Sequence, residues 1–303
     1  MDEKQKQLLA KKILADRAIP SLSAVALELI NAASDERTSA RDLAAIIQRD
    51  PGLATRLLQV VNSVAFATRS PVSSVSQAVV NIGFRRIRMM ALSLSLRDTF
   101  PFGRVGNMDY DYFWRSSLYR ALIARNLVKA AAERPLDPEE AFLAALTLEV
   151  GVLLLYQGGL RAQDQKSFPG LQVPLEDLLQ WEEQSVGINH RDVGAIAMER
   201  WGFPETMAEC QRFRGDSALE PQRSYLCVMV EMARRLTAYV FGESPDSGVV
   251  YDRAQRLLDL DSDTIDGLMA ETFRHVEDMA AYLQISLDSH AGLLEALQKR
   301  KQV

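Results

Sequence analysis

The sequence predicts an all-α fold, and three of its features support that prediction. Apolar residues recur every three or four positions over most of the chain, which is the spacing that gives a helix one apolar face. Helix-start signals, such as the capping carboxylates followed by proline at Asp50-Pro51 and Asp137-Pro138, precede several of these stretches. No alternating apolar and polar run is flanked by the Asn-Gly or Asp-Gly pairs of hairpins.

The first third of the chain is predicted to form short amphipathic helices. After the cap at Asp50, Leu53, Leu57 and Val61 fall on one helical face. Between breaks rich in glycine and proline, we predict helices at 23–33, 39–48, 51–62, 74–81 and 84–98.

Longer helices are predicted in the middle of the chain. The helix predicted at 109–133 carries an aromatic cluster near its start, which we interpret as packing between helices. The longest apolar stretch, 141–156, contains Glu149 and is shorter than the ~20 apolar residues that a membrane-spanning helix needs. We therefore predict a buried core helix at 138–156.

The remaining helices are predicted from their caps and from apolar periodicity. Asn189 precedes one of them, Pro204 opens the next, and a mostly apolar stripe from Ile265 to Leu283 marks a long one. They are predicted at 175–185, 190–201, 205–213, 222–241, 250–259, 263–284 and 288–301.

The composition favours a soluble globular protein and argues against nucleic acid as the main partner. Hydrophobic residues make up 48% of the chain and charged residues 25%, and the net charge of −5 gives no overall attraction for phosphate backbones. Cys210 and Cys227 lie outside any C-x-x-C spacing, which fits buried free thiols in a reducing compartment. Residues 1–5 lack the apolar run of a secretory signal. We expect a cytoplasmic protein without a membrane segment.

Two groups of motifs follow one another in an order typical of a known family. The first group reads IPSL at 19–22, LAAIIQRDPGLA at 43–54, LLQVVNS at 57–63, PVSSV at 71–75 and AVVNIG at 78–83. The second reads EAFLAAL at 140–146, EEQSVGINH at 182–190 and WGFPE at 201–205. Together they cover about residues 13–213 and closely resemble the HDOD family, whose domain is related to the HD phosphohydrolases.

The resemblance implies an all-α, HD-domain-like fold in which an N-terminal helical subdomain packs on a degenerate HD-like subdomain. We expect the first at 1–105, the second at 106–213, and a C-terminal helical extension that completes the HD-like part at 214–303. HDOD proteins look like bacterial signalling and output modules, often fused to receiver or cyclic-dinucleotide domains. The partners that the resemblance implies are therefore signalling proteins, such as response regulators or cyclic-dinucleotide enzymes.

The resemblance also locates the positions of the HD metal ligands, and their chemistry has changed. An HD phosphohydrolase holds a divalent ion with an early His, a His-Asp pair and a late Asp, each of which must offer a lone pair. The corresponding residues here are Ser116, Leu148, Glu149 and Arg234. Only Glu149 could ligate an ion, and Arg234 would repel one. We therefore predict that the chain has no metal, no cofactor and no catalytic residues.

One hypothesis about this vestigial site is that Glu149 and Arg234 pair with each other in place of the metal. A buried carboxylate needs a partner, because an unpaired buried charge is very costly. The alternative is that Glu149 reaches solvent or a backbone donor.

His190 stands at the start of a predicted helix, and two interpretations stay open. It could be a surviving residue of the old pocket, or a structural histidine hydrogen-bonded near the helix N-terminus. We favour the structural role, because a lone histidine has no second ligand with which to share a metal.

Arg85, Arg86 and Arg88 form a candidate anion or partner patch after Gly83-Phe84. Three arginines within four residues could bind a nucleotide, DNA or an acidic protein surface. The alternative, which we favour in a protein of net charge −5, is a solvated helix face with the apolar neighbours turned inward.

The leading hypothesis is a non-catalytic bacterial regulatory module that acts through protein–protein contacts. Two alternatives remain open: a divergent metal-dependent phosphohydrolase, and a nucleotide or cyclic-dinucleotide sensor without turnover. DNA binding is the least favoured, because it would rest on the arginine patch alone.

Overall fold

A computed structural model describes residues 3–16, 19, 21–34, 37–62, 71–131, 136–213, 225–243 and 247–287. These residues form sixteen α-helices, one π-helical turn and a small antiparallel hairpin. The prediction of an all-α fold is therefore confirmed. The helix predicted at 288–301 lies outside the described residues.

The first half of the chain contains six short helices, the hairpin and one long helix. They are α1 (Glu3–Ile13), α2 (Ala24–Ser34), α3 (Ala40–Gln48), α4 (Pro51–Val61), α5 (Val75–Ile82), α6 (Phe84–Asp98), β1 (Arg104–Val105), β2 (Met108–Asp109) and α7 (Tyr110–Ala130).

The second half is again almost entirely helical. It contains α8 (Pro138–Thr147), α9 (Val150–Leu154), the π-helical turn Leu155–Gly159, α10 (Ala162–Ser167), α11 (Leu175–Ser185), α12 (His190–Trp201), α13 (Glu205–Arg212), α14 (Tyr225–Phe241), α15 (Ser247–Leu258) and α16 (Ser262–Leu283).

Most predicted helices lie within a few residues of the observed ones, and the caps explain why. The side chain of Asp50 accepts the Leu53 N–H at 3.0 Å and begins α4, and Asn189 does the same for α12 with the Asp192 N–H. Four elements were not predicted: α1, the hairpin, the π-helical turn and α10.

The prediction of one continuous helix at 138–156 is wrong in one respect, because the observed helix is interrupted. Helix α8 ends at Thr147, Leu148 and Glu149 form a turn, and α9 begins at Val150. The carbonyl of Thr147 accepts a hydrogen bond at 2.8 Å from the side-chain amide of Gln211 on α13. This bond satisfies one of the carbonyls that the interruption leaves without an intrahelical partner.

The stretch Pro138–Gly159 is the one described segment that is long and apolar enough to be considered as a membrane span. Of its most apolar window, 83% is buried inside the protein. The prediction that this stretch belongs to the core is confirmed.

Helix α7 lies at the centre of the molecule. Seventeen of its residues are buried, and it packs against α8, α14 and α16. Its aromatic cluster packs between helices as predicted: Phe113 and Trp114 contact edge to face at 5.1 Å, and Tyr112 meets Phe241 of α14 at 5.5 Å. Helices α2 to α6 pack on one another, and α6 connects that group to α8.

Two glycines allow α9 and α12 to cross almost in backbone contact. A Cβ atom on Gly151 would lie 1.9 Å from the carbonyl oxygen of His190, and one on Gly194 would lie 2.5 Å from the side-chain oxygen of Gln211. No larger residue fits at Gly151 unless the backbone moves. This crossing brings Glu149, just before α9, to the start of α12.

Candidate functional site

The residues predicted to be the remains of a metal site do lie together, around a cavity of about 40 Å³. Ser116, Glu149, His190 and Arg234 all line it. Leu148 does not; it is 1% exposed and belongs to the hydrophobic core. The other polar side chains of the wall are Tyr112, Arg120, Thr237 and Glu243.

Glu149 is held by two arginines. Arg120 of α7 donates to it from Nη1 at 2.9 Å, and Nη2 of Arg191, on α12, lies 3.5 Å away. Arg120 is fixed by two more bonds, to the carbonyl of Ala145 at 2.7 Å and the hydroxyl of Ser117 at 2.9 Å. Burial alone would raise the pKa of Glu149, but the two guanidinium groups outweigh it and lower that pKa to about 2.

Arg234 has a different partner from the one we predicted. It forms a two-pronged pair with Glu231, one helical turn earlier on α14, with distances of 2.9 Å from Nε and 2.7 Å from Nη2. Although burial opposes ionisation, Arg234 keeps the pKa of Glu231 below its ordinary value. Glu231 also accepts a bond from Arg235 and lies 4.0 Å from Arg191.

The hypothesis that Glu149 and Arg234 pair directly is therefore wrong, and the partners of Glu149 among the described residues are the side chains of Arg120 and Arg191 and not a backbone donor. Within the part of the chain that the structure describes, no ion pair at 4.0 Å or less joins them. Arg234 favours ionisation of Glu149 only as a more distant charge. The physical reason is proximity: Glu231 lies three residues from Arg234 on the same helix, and Arg120 reaches Glu149 from α7.

Arg191 is a buried cation with poorly satisfied donors. Its side chain is 0% exposed, and none of its three guanidinium nitrogens has a hydrogen-bond partner among the described residues. Burial lowers its pKa to about 10, while Glu149 and Glu231 act in the opposite direction. The guanidinium stays protonated at neutral pH and connects the Glu149 pair to the Glu231 pair.

His190 combines the two roles that we had considered as alternatives. Its Nδ1 lies 2.8 Å from Glu182, whose carboxylate also accepts the backbone N–H of His190 at 2.9 Å. Both side chains are 1% exposed. Because an ionised carboxylate can only accept, Glu182 assigns the proton to Nδ1. Nε2 is buried without a hydrogen-bond partner in the described structure, and His190 also lines the cavity.

Glu243, after the end of α14, closes another part of the wall. It accepts a hydrogen bond from the hydroxyl of Tyr112. Burial, with a smaller contribution from the charge of Glu149, raises the pKa of Glu243 to about 7. This carboxyl is therefore partly protonated at neutral pH.

The donor set of the cavity does not match a divalent metal. Glu149, His190 and Glu243 are of ligating type, but no three His, Cys, Asp or Glu side chains among the described residues are arranged to hold an ion. Glu149 is engaged by arginines and the hydroxyl of Ser116 donates to the carbonyl of Phe113 at 3.1 Å. The cation of Arg234 stands where a ligand would be needed.

The arginine patch lies apart from the cavity. None of Arg85, Arg86 and Arg88 lines it. Arg85 pairs with Asp137 at 3.1 Å and Arg86 with Glu139 at 3.8 Å, so these arginines connect α6 to the start of α8. The guanidinium of Arg88 lies 5.6 Å from the ring of Phe84. These ion pairs reduce the positive charge that the patch offers to an anion.

Sequence reasoning missed Arg120, Glu182, Arg191 and Glu231. A signal was present for two of them. Arg120 and Glu231 each stand inside a long apolar run, LYRALIA and VMVEMA, where a charge requires a buried partner. Glu182 opens the motif at 182–190, although no role was inferred for it, and Arg191 carried no such signal.

Comparison with known proteins gives a consistent result. The model of the HDOD domain matches residues 19–216. A curated protein of Treponema pallidum without an assigned function is 23% identical over 248 residues; the match covers 77% of this chain but only 45% of that relative. The chain thus spans about half the length of the curated relative that it matches.

Two solved structures share the fold. A candidate phosphohydrolase of Shewanella amazonensis superposes with a TM-score of 0.68 at 21% identity, covering 91% of this chain and 97% of that one. A candidate signal-transduction protein of Marinobacter aquaeolei gives 0.70 at 22% identity, covering 93% and 65%. At these identities the likeness establishes the fold alone.

Proposed function

We propose that this chain, which belongs to the HDOD family, is a non-catalytic regulatory module of bacterial signalling. It acts in the cytoplasm through contacts with other proteins. The partners expected from the family resemblance are signalling proteins, such as response regulators or cyclic-dinucleotide enzymes.

The observation that carries this proposal is the chemistry of the cavity wall, where two guanidinium groups stand and the carboxylate of Glu149 is already paired. Arg120 and Arg234 line it, and Arg191 lies behind Glu149. Arg234 repels a divalent ion, Glu149 and Glu231 are already engaged by guanidinium groups, and among the described residues no set of lone pairs is left to bind an ion. Without a metal, the cavity lacks the means to activate water against a phosphate ester in the manner of an HD enzyme.

The test is a hydrolysis assay with the whole chain. A chromogenic phosphomonoester and phosphodiester are offered with Mn²⁺, Mg²⁺, Fe²⁺ and Zn²⁺ in turn. We expect no turnover above the metal-only blank. The proposal would be contradicted by turnover that needs metal, provided that it disappears in Glu149→Gln and survives in Arg85→Gln.

One observation favours the alternative of a divergent metal-dependent phosphohydrolase. Glu182 fixes the tautomer of His190 and leaves Nε2 without a hydrogen-bond partner among the described residues. Metal-ligating histidines in other proteins are supported by a buried carboxylate in the same way. A His190→Gln variant therefore belongs in the same assay. Activity lost in this variant would favour the alternative.

The protein-contact part of the proposal has its own test. Arg85 is 73% exposed and Arg86 is 41% exposed, so a partner can reach both. The arginine patch would be supported as an interface if the wild type and an Arg49→Glu control capture the same signalling protein. The Arg85→Glu/Arg86→Glu variant should then fail to capture it. Equal capture by all three would exclude the patch.

A further inference from the structure

We propose that the cavity binds one phosphate group, either free phosphate or the phosphate of a monoester, and that this anion is a regulatory ligand of the chain. Binding itself does not depend on the proposed function, although the absence of turnover does.

The first supporting feature is a guanidinium with one nitrogen left to donate. Arg234 uses Nε and Nη2 on Glu231, and no described residue accepts a hydrogen bond from its Nη1. The side chain is 11% exposed and lines the cavity. A guanidinium already oriented by one carboxylate loses little further entropy when its remaining N–H groups bind an oxyanion.

The second feature is the unpartnered nitrogen of His190. Nε2 is buried, has no partner among the described side chains and belongs to a residue of the cavity wall. With the proton on Nδ1, it can accept a hydrogen bond from a protonated phosphate oxygen. A buried nitrogen without a partner costs stability, and a ligand oxygen would remove that cost.

The third feature is the charge balance around the cavity. Four guanidinium groups, of Arg120, Arg191, Arg234 and Arg235, face the two carboxylates of Glu149 and Glu231 within one connected set of ion pairs. Glu243 opposes an anion, but it is partly protonated near pH 7 because burial raises its pKa. The donors of Arg191 that no protein group satisfies favour additional negative charge nearby.

The size of the cavity decides which anion fits. A volume of about 40 Å³ is on the scale of a few water molecules at ~10–15 Å³ each, which suits one small oxyanion better than a nucleobase. Leu171, Val173 and Leu175 also line it and are partly buried, so they offer apolar contact to the organic part of a monoester.

Calorimetric titration of the full chain with inorganic phosphate and with phenyl phosphate tests the proposal. We expect saturable binding of one anion per chain. If phenyl phosphate binds more tightly than inorganic phosphate, the ligand is a monoester. If the two bind with equal affinity, the ligand is free phosphate. Arg234→Gln should weaken binding by about tenfold or more, the effect of losing one charged hydrogen bond. Ala238→Leu fills the cavity without changing its charges and should abolish binding. Arg85→Gln, outside the cavity, should bind like the wild type.

Ala238→Leu keeps the test valid if Arg234→Gln fails to fold, and circular dichroism identifies that case. No saturable binding of either anion, or binding unchanged in Ala238→Leu, would overturn the proposal. Phosphorus NMR of the phenyl phosphate sample separates the two inferences. An intact bound ester agrees with both, whereas released phosphate would support the site and contradict the non-catalytic function.

Discussion

Replacing Glu149 with glutamine removes the carboxylate that Arg120 and Arg191 share. Arg120 keeps its bonds to Ala145 and Ser117, but Arg191 keeps only Glu231, at 4.0 Å. Folding lowers the pKa of Glu149 from 4.5 to about 2. Each pKa unit corresponds to about 1.36 kcal/mol, so this shift corresponds to about 3 kcal/mol of stability. Because the side chain is 24% exposed, solvent screening reduces the expected loss to about 2–3 kcal/mol.

The loss of stability in Glu149→Gln should also depend on pH. The pKa of Glu149 is lower in the folded state than its ordinary value, so its contribution is fully present above about pH 4.5 and is lost as the pH falls toward 2. Urea unfolding of the wild type and of Glu149→Gln should therefore differ by about 2–3 kcal/mol at pH 7 and by clearly less at pH 3.

The matched control is Glu28→Gln. Glu28 is 39% exposed and pairs with Arg49, which is 60% exposed, so its loss should cost less than about 1 kcal/mol. A cost for Glu149→Gln as small as that of the control, or one that does not change between pH 7 and pH 3, would refute the account of this ion-pair network.

Two further predictions concern the walls of the cavity. Glu243→Gln should become more stable relative to the wild type as the pH rises from about 4.5 through 7, by up to about 2 kcal/mol, because the pKa of Glu243 is raised to about 7 in the folded protein and its ionisation there is costly. Urea midpoints measured across that range check this, and a difference independent of pH would contradict it. Gly151→Ala should lower stability by about 3 kcal/mol or more, because its Cβ would lie 1.9 Å from the carbonyl oxygen of His190. Thermal unfolding beside a Gly267→Ala control, where the added Cβ meets open space, provides the measurement.

The fold could be predicted well because its signals are local. Caps such as Asp50 and Asn189 and the apolar periodicity fix where helices begin and which face is buried. The break at Leu148 and Glu149 could not be predicted in the same way, since no proline or capping signal marks it and the weak helix propensity of Thr147, Val150 and Gly151 does not place a break. It depends on tertiary contacts from Gln211 and the arginines, which are distant in sequence.

The site could be predicted in part. The positions of Ser116, Glu149 and Arg234 came from the family resemblance, and the structure brings all three to one cavity with His190. Their partners could not be identified because pairing depends on side-chain reach. Glu231 is near Arg234 in sequence, whereas Arg120 lies 29 residues from Glu149 and meets it only through the packing of α7 on α8.

The most direct test of the central claim, that this cavity does not bind a metal ion, is elemental analysis of the purified chain. The chain is prepared without chelator, then equilibrated with Mn²⁺, Fe²⁺ or Zn²⁺ and desalted. We predict far less than one ion per chain in every preparation. About one bound ion per chain, lost in Glu149→Gln or His190→Gln and kept in Arg85→Gln, would contradict the claim.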